Sequence, residues 1–335
     1  MSGVRHITVG ADDEGQRLDR WIKRHAPEIP FGLAQKLMRQ GQVRVDGKRA
    51  KPDTRLKAGQ DIRLPPVQDK PQNDIYRLTE KDEKLIQSWV IYDDGDILAI
   101  NKPYGIATQG GMNIERHIDG MLEGLTGESG VKPRLVHRLD KETSGVLLLA
   151  RSADMARLLG KIFSGRHIRK IYWAITSPAP EMNDGEIKAP LSKGVGSQKD
   201  KMIIDETDGQ SASTLFQVID RAHRQAAYIA FWPRTGRTHQ IRVHAAYMGC
   251  PIAGDRKYAL PIEKGDHVRP QIVIDDLAKR LHLHAAEVTF RHPRTGKTLT
   301  LKAPLPPELK ASWKTLGFQD KTPASLFEEV KDFRL

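Results

Sequence analysis

The stretch VHRLDKETSGVLLLA, residues 136–150, has the clearest organisation in this 335-residue sequence. Its polar loop HRLDKETSG runs into the apolar segment VLLLA, whose length and composition predict a buried strand. Rigid scaffolds commonly hold reactive groups in loops at strand ends. Asp140 is therefore a candidate nucleophile or general base, with Arg138 two residues away. Judged by residue type alone, an aspartate in such a loop is more often a turn or cap residue.

The sequence on either side of this stretch mixes strand and helix patterns. Apolar runs at residues 88–93 and 97–103 flank a DDGD turn, and residues 152–165 form an amphipathic helix pattern with Ser152 at its N-cap. Because strands do not alternate regularly with helices, a doubly wound parallel sheet is disfavoured. We predict an α+β domain with a mixed, largely antiparallel sheet over residues 86–320. Further strand patterns occur at residues 170–175, 213–220, 226–233, 280–293 and 297–304.

Most of the positive charge lies near the N-terminus. The net charge is +12, and residues 17–64 hold 13 Lys or Arg against 5 Asp or Glu. Helical spacing at residues 18–22, a second helix pattern at 31–40 and the turn signal Asp46-Gly47 predict a helix–helix–hairpin unit. Such a basic surface suits a phosphate-rich partner. The candidate RNA-binding residues are Lys36, Arg39, Arg44, Lys48 and Arg49.

Composition also predicts how the chain is divided. A basic helical hairpin without any partner remains the alternative interpretation of the first unit, because charge runs alone are weak evidence. The segment after it is rich in proline and charge, which is typical of a linker. The predicted parts are an N-terminal extension over 1–14, the basic unit over 15–66, a linker over 67–85, the α+β domain over 86–320 and a tail over 321–335.

Several classes of protein are disfavoured by what the sequence lacks. No apolar run approaches the ~20 residues of a membrane helix, and the N-terminus has no signal-peptide core. The single cysteine, Cys250, excludes an internal disulfide and a Cys-rich zinc site. The histidines at 239, 244, 282 and 284 are better explained as structural residues than as metal ligands. We therefore expect a cytoplasmic, monomeric protein without metal, cofactor or membrane contact.

Two groups of motifs resemble known families. RLDRWI (17–22), QKLMRQGQVRVDGKRAK (35–51) and LKAGQDIRL (56–64) resemble the S4 RNA-binding domain. The loop HRLDKETSG resembles the signature of the RNA pseudouridine synthases that modify ribosomal and transfer RNA and often carry an N-terminal S4 domain. The other blocks of that family occur in the expected order, as NKPYG (101–105), RKIYWAI (169–175), TGRTHQIRVH (235–244), GDRKYA (254–259) and LHLHA (281–285).

The resemblance implies an RNA substrate and isomerisation of uridine to pseudouridine without a cofactor. It places the catalytic aspartate at Asp140, which either attacks C1′ or takes the C2′ proton. It places at Arg242 a guanidinium that pairs with the aspartate, and such a group can hold a carboxylate through two hydrogen bonds. It makes Tyr172 the aromatic residue that stacks on the base.

Further residues have supporting roles by the same resemblance. Arg138 is placed to fill the space left by an extruded uridine. Leu283 forms an apolar wall of the uracil pocket, although core packing explains it equally well. Arg237, Thr238 and His239 support the loop before the helix that carries Arg242.

Alternative functions remain open at this point. The substrate implied first is large-subunit ribosomal RNA, and transfer RNA is the alternative within the family. A non-catalytic RNA-binding or ribosome-assembly protein would keep the basic unit but would not need Asp140, Tyr172 and Arg242 together. A glycosidase is disfavoured because no second carboxylate stands out as a partner for Asp140.

Overall fold

The computed structural model divides into two compact units, Met1–Ile75 and Tyr76–Leu335. Of the linker predicted over residues 67–85, residues 67–75 lie outside the described part of the chain. The structure describes residues 3–66, 76–111, 114, 116–127, 130–165, 167–258, 276–323, 325–328 and 330.

The first unit packs two helices on a small antiparallel sheet. Within residues 3–66 the strands are β1 (Arg5–Thr8), β2 (Arg44–Val45), β3 (Lys48–Arg49) and β4 (Asp61–Leu64). They lie in the order β1-β4-β2-β3. Asp46 and Gly47 form the hairpin turn with φ angles of 49° and 72°, the left-handed region that a type I′ turn requires. Both predicted helices and the hairpin are present. The helices are α1 (Leu18–His25) and α2 (Phe31–Arg39).

Trp21 of α1 is fully buried at the centre of this unit. Its indole N–H donates to the carboxylate of Asp13 over 3.2 Å. Arg24 and His25 contact the same carboxylate at 3.1 and 2.7 Å. A buried carboxylate needs such partners because it has lost its hydration. The carboxylate of Asp13 thus lies inside the unit beside the apolar core, and the other basic side chains of α1 and α2 are exposed.

The prediction of an N-terminal extension over residues 1–14 was wrong in part. Strand β1 pairs with β4 along its length, from Arg5 opposite Leu64 to Thr8 opposite Asp61. Val9, which follows, is buried in the core. The four-residue strand is too short to give a period-2 signal by itself. Its pairing partner lies more than fifty residues away and supplies the missing stabilisation.

The second unit is built on one large sheet. None of the helices in its described part combines the length and apolar character that a bilayer span requires. Its helices are α3 (Glu80–Ser88), α4 (Ile118–Met121), α5 (Ala153–Ser164), α6 (Gln240–Tyr247) and α7 (Pro307–Thr315). Its strands are β5 (Val90–Asp93), β6 (Ile97–Lys102), β7 (Arg134–Leu135), β8 (Ser144–Ala150), β9 (Ile168–Thr176), β10 (Asp184–Lys188), β11 (Leu191–Lys193), β12 (Met202–Ile204), β13 (Ser213–Ala222), β14 (Ala226–Pro233), β15 (Leu283–Arg291) and β16 (Thr298–Lys302).

Ten strands of the described residues form the large sheet. Its main path runs β10-β13-β14-β9-β15-β8-β6-β5, with β16 beside β15 and β7 beside β8. The β15–β8 pair is parallel, and the other pairs are antiparallel. The predicted α+β class with a mixed, largely antiparallel sheet is confirmed.

The C-terminal end of the predicted linker belongs to the second unit. Residues 80–85 lie in α3, which begins at an N-cap where the Thr79 hydroxyl accepts a hydrogen bond from the N–H of Asp82. Ile86 of this helix is fully buried and packs with Leu98 of β6 and Leu122. The charged composition misled the sequence-based assignment, because one buried face of a short helix contributes few apolar residues.

Gly145 allows the close approach of β8 to β15. Its φ is 118°, and a Cβ atom there would lie 2.1 Å from the carbonyl oxygen of Ala285. No other residue fits both the backbone conformation and the contact. The loop that precedes β8 is thereby held against the start of β15, where Leu283 lies.

Candidate active site

A cavity of about 550 Å³ opens in the second unit. Its wall combines the Asp140 loop (residues 137–143), β9, the start of β15 and the segment that leads into α6. Residues distant in sequence thus meet at one place. The wall includes every residue to which the sequence assigned catalysis or substrate binding in this unit, namely Asp140, Tyr172, Arg242, Arg138, Leu283, Arg237 and His239.

The backbone around Asp140 is bonded on both sides of the residue. The Thr108 hydroxyl donates to the carbonyl oxygen of Leu139 over 2.6 Å and accepts the N–H of Leu139 over 3.1 Å. The N–H of Gly105 donates to the carbonyl oxygen of Lys141 over 2.8 Å. Within the described residues, the side chain of Asp140 makes no hydrogen bond. A fixed backbone therefore presents a carboxylate that is available to a molecule in the cavity.

Lys102, at the end of β6, connects the Asp140 loop to the turn at residues 103–106. Its ammonium donates to the carbonyl oxygens of Pro103 and Ile106 over 2.9 and 2.8 Å and lies 3.5 Å from that of Lys141. The side chain is fully buried. Burial lowers the pKa of Lys102 to about 7, and the negative charge of Asp140 opposes this shift. Lys102 therefore stabilises the position of the Asp140 loop.

Arg242 has a different partner from the one that the resemblance implied. Its Nε and Nη2 each donate to the carboxylate of Asp255 over 2.7 Å, and its Nη1 lies 2.8 Å from Glu142. No hydrogen bond joins Arg242 to Asp140 in the described part of the chain. The two-bond pairing with Asp140 is therefore corrected to Asp255. The physical reason is burial, because the side chain of Asp255 is fully inaccessible and requires a cation.

Arg242 is a fixed positive charge at the wall of the cavity. Burial opposes its charge, but the hydrogen bonds and the charge of Asp255 raise its pKa above the ordinary value. The negative charges of Glu142 and Asp140 add to this effect. Asp140 is thus within electrostatic range of the guanidinium without being bonded to it.

Two side chains of this site were not singled out by the sequence. Asp255 accepts two hydrogen bonds from Arg242 and two more from the backbone N–H groups of Lys257 and Tyr258, at 2.8 and 3.1 Å. Lys102 is the other. Both lie in blocks noted above, GDRKYA and NKPYG, so the signal was present. The spacing of those blocks does not reveal which side chain is buried.

Tyr172 lies on β9, opposite Ala285 of β15 and Phe231 of β14. Burial raises the pKa of its phenol, and the negative charge of Asp140 acts in the same direction. The phenol therefore stays neutral around pH 7. It can offer a ring face and an O–H donor beside the Asp140 carboxylate.

His239 and Arg237 shape the segment that leads into α6. His239 has φ 53°, and its Nδ1 lies 2.7 Å from the hydroxyl of Tyr258. Burial lowers the pKa of His239. The guanidinium of Arg237 donates to the carbonyl oxygen of Ser211 over 3.2 Å. These contacts hold the backbone that carries Arg242 at the cavity wall.

Leu283 and Arg138 both line the cavity, but Leu283 is buried and Arg138 is exposed. Leu283 is 3% exposed and belongs to the apolar cluster around Ile229 and Phe231. Arg138 is exposed, and its guanidinium makes no hydrogen bond among the described residues. A planar cation at the rim is free to turn toward a bound molecule.

The two histidines at 282 and 284 have ordinary structural partners. Each ring lies within hydrogen-bonding distance of one backbone carbonyl and one serine hydroxyl, at 2.9 to 3.1 Å. Burial lowers the pKa of each to about 4, so both rings are neutral around pH 7. Both nitrogens of each ring therefore already have a hydrogen-bonding partner.

The candidate RNA-binding residues of the first unit are exposed. They lie on α2 and on the β2–β3 hairpin, and the acidic residue at the hairpin turn, Asp46, bonds to Gln60 and to the N–H of Asp61. The basic side chains therefore form a surface without a carboxylate partner among the described residues. They are Lys36, Arg39, Arg44, Lys48 and Arg49.

Known sequences resemble both units. The RNA pseudouridylate synthase family matches residues 96–247, and the S4 domain matches residues 16–62. Ribosomal large subunit pseudouridine synthase C of Salmonella typhimurium and that of Escherichia coli K12 are each 33% identical to this chain, over 92% of it and 95% of their own length. The synthase C of Pasteurella multocida is 35% identical over 92% of both chains.

Solved structures superpose on most of this chain. Human RNA pseudouridylate synthase domain containing 4 is 29% identical and superposes with a TM-score of 0.58, over 72% of this chain and 97% of that one. Human RNA pseudouridylate synthase domain containing 1 is 22% identical and superposes with a TM-score of 0.55, over 72% of this chain and 94% of that one. This likeness supports the fold. From its sequence relatives and its site, this chain belongs to the RNA pseudouridine synthases and carries an N-terminal S4 domain.

Proposed function

We propose that this enzyme converts specific uridines of large-subunit (23S) ribosomal RNA to pseudouridine, with Asp140 as the catalytic carboxylate and without a cofactor. One observation carries the proposal. Asp140, Tyr172 and Arg242 come from three separate elements and line one cavity. Among the described residues, Asp140 is the only carboxylate that lines this cavity, and its side chain makes no hydrogen bond.

The ribosomal substrate is supported by the relatives and by charge. Curated relatives that match over nearly their whole length are named for the large ribosomal subunit. The S4 domain adds a basic surface on α2 and the β2–β3 hairpin. Neutralising RNA phosphates at such a surface releases counterions and stabilises the complex. A structured ribosomal RNA segment offers phosphates to this surface while its target uridine reaches the cavity.

The reaction is an isomerisation, so its atoms balance without a co-reactant. The N1–C1′ bond breaks, the uracil rotates, C5 bonds to C1′, and the proton from C5 is lost while N1 gains one. In one route, an Asp140 oxygen attacks C1′, uracil leaves as an anion, and the carboxylate departs when C5 attacks. In the other, Asp140 takes the C2′ proton as uracil leaves and returns it after C5 has bonded. Both routes require an ionised carboxylate.

The surroundings of Asp140 suit this chemistry. Arg242 is permanently charged and stabilises negative charge that develops in the site. The neutral phenol of Tyr172 stacks on the extruded base and stays protonated. Reaching the base requires unstacking, at a cost of a few kcal/mol, least in RNA loops. Arg138, exposed at the rim, fills the space that the uridine leaves.

The first experiment removes only the charge of Asp140. RNA labelled with tritium at uridine C5 releases the label when C5 bonds to C1′. We expect Asp140→Asn to reduce release at least about 10²-fold, with unchanged thermal unfolding because the carboxylate makes no hydrogen bond. Asp154→Asn, at an exposed position on α5, is the matched control and should keep wild-type activity. Label release by Asp140→Asn at the wild-type rate would refute the proposal.

The second experiment identifies the RNA. Pseudouridines are mapped in all stable RNAs of cells that lack this protein and of cells that carry Asp140→Asn. We expect uridines to remain unmodified in large-subunit ribosomal RNA in both strains. Loss confined to transfer RNA would replace the substrate and keep the chemistry. No change in any RNA would contradict the proposed function.

A further inference from the structure

The cavity extends beyond the reaction centre along β9. Ile168, Lys170 and Tyr172 alternate on this strand and all line the cavity, because side chains two apart share one face of a strand. Phe163 and Ser164, at the end of α5, complete this extension. It lies toward the N-terminal end of β9 from Tyr172.

Lys170 is a half-buried cation without a partner in this extension. Its ammonium makes no hydrogen bond or ion pair with any described residue. Arg169, its neighbour on the other face of β9, is by contrast bonded to Glu287 over 3.1 Å. Burial alone lowers the pKa of Lys170, to about 8, and no carboxylate opposes the shift. An unpaired, partly desolvated ammonium costs free energy, so the fold gains nothing from this charge.

Two aromatic side chains that line this extension, His137 and Phe163, have partners of their own. The ring of His137 stacks on Phe163 with centroids 4.5 Å apart, and its Nε2 accepts the N–H of Leu148 over 2.8 Å. Burial lowers the pKa of His137 to about 3, and the charge of Lys170 acts in the same direction. This histidine is therefore neutral. Lys170 thus offers an unpaired positive charge in the part of the cavity that these two rings line.

The spacing along β9 places the ammonium of Lys170 close to the ring of Tyr172. Lys170 and Tyr172 are two residues apart, or about 6.6 Å along the strand. RNA carries one phosphate for each nucleotide. A uridine stacked on Tyr172 therefore has a flanking phosphate within reach of a lysine one strand repeat away.

We propose that Lys170 binds the backbone phosphate next to the extruded uridine, so that this end of the cavity is a phosphate subsite. The subsite rests on the proposed function, since it requires a uridine at Asp140. A phosphate contact carries no sequence information and fixes the register of the RNA. Lys170 would thus determine which nucleotide of a recognised RNA segment enters the site.

The test compares Lys170→Met with Lys161→Met, which removes an exposed lysine of α5 that does not line the cavity. Tritium release is measured on an unmodified large-subunit ribosomal RNA transcript at several salt concentrations. We expect Lys170→Met to raise KM about 10- to 100-fold with a smaller change in kcat, and to reduce the slope of log KM against log salt by about 0.7. Lys161→Met should match wild type, and Lys170→Arg should restore most of the affinity.

A second measurement identifies the contact itself. In a short RNA containing the mapped uridine, each flanking phosphate is replaced in turn by an uncharged methylphosphonate. One replacement should weaken wild type as much as Lys170→Met does and should have no further effect on that variant. Additive effects at every linkage, or an unchanged salt slope, would overturn the phosphate subsite. A wild-type protein that releases no tritium would instead refute the proposed function.

Discussion

The guanidinium of Arg242 and the carboxylate of Asp255 form a buried pair with two parallel hydrogen bonds of 2.7 Å each. Both side chains are almost inaccessible, at 2% and 0%. The pair fixes the plane of the guanidinium and leaves Nη1 toward Glu142, two residues after Asp140. In the proposed mechanism, the guanidinium of Arg242 is thus positioned by a carboxylate that takes no part in the reaction.

Replacing Asp255 should therefore damage both stability and activity. Asp255→Asn leaves a buried guanidinium short of a charged partner, which we expect to lower the free energy of unfolding by about 3 kcal/mol. We expect kcat for tritium release to fall at least tenfold, since Arg242 loses its fixed orientation. Urea unfolding and single-turnover kinetics measure the two effects.

Asp96 provides the matched control for this variant. It forms a comparable two-bond pair with Arg294, at 2.6 and 2.8 Å, but at the surface. Exposed pairs contribute about 0–1 kcal/mol. Asp96→Asn should change neither measurement appreciably. Equal losses in the two variants would show that burial is not what makes the Arg242 pair important.

Removing the ammonium of Lys102 should loosen the Asp140 loop. Lys102→Met leaves the carbonyl oxygens of Pro103 and Ile106 without their donor, at about 1–3 kcal/mol for each buried acceptor. We expect a lower melting temperature and a lower kcat, with little change in KM. Lys141→Met, at an exposed neighbouring side chain, should melt like wild type. A Lys102→Met protein with wild-type stability would show that the buried ammonium is not structural.

Reversing charge on α2 should weaken RNA binding. The double variant Lys36→Glu and Arg39→Glu keeps the helix, since both side chains are exposed. We expect weaker binding of ribosomal RNA and a shallower salt dependence, by about 0.7–0.9 for each lost phosphate contact. Filter binding at several salt concentrations measures both. The control is the double variant Arg20→Glu and Lys23→Glu on α1. An equal loss of RNA binding in the control would mean that RNA does not bind specifically at the α2 surface.

The stability of the protein should depend on pH through Lys170. Its pKa is about 8 in the folded protein, below the ordinary 10.5, because of burial. Between these values the unfolded chain binds more protons, so the free energy of unfolding rises with pH in this window. The destabilising effect is complete below pH 8 and disappears toward pH 10.5. Lys170→Met should therefore be more stable than wild type at pH 7, by a margin that narrows as pH rises to 10.

Urea unfolding of both proteins at pH 7, 8, 9 and 10 checks this expectation. His137, which stacks beside Phe163 near Lys170, stays neutral over this whole range and does not contribute. A constant difference between the two proteins would show that Lys170 is solvated as an ordinary surface lysine. That result would also weaken the case for a phosphate subsite.

Short-range signals in the sequence were sufficient for many local features. The Asp46-Gly47 turn follows from two residues that tolerate left-handed backbone, and the Ser152 hydroxyl does accept the N–H of Met155 at the start of α5. The apolar run VLLLA is a strand that is buried along its whole length and pairs with β6. Each of these depends on residues that are neighbours in the chain.

Long-range pairing was outside the reach of such signals. Strand β1 is four residues long and is stabilised only by β4. The parallel contact of β8 with β15 joins residues 140 positions apart, His284 and Ser144, and it depends on the absence of a side chain at Gly145. Nothing in either segment alone encodes the other. Loop closure over such distances is stabilised only when the whole sheet forms.

The sequence by itself determined which chemical groups this protein possesses, and it indicated Asp140 as the reactive carboxylate in an RNA-modifying enzyme. Only the tertiary structure decided which carboxylate holds Arg242 and which lysines are buried. In the sequence Asp140, Glu142 and Asp255 are equivalent partners for a guanidinium. They differ in burial, and the need to neutralise a charge that water cannot reach assigns Arg242 to Asp255 and leaves Asp140 available to the substrate.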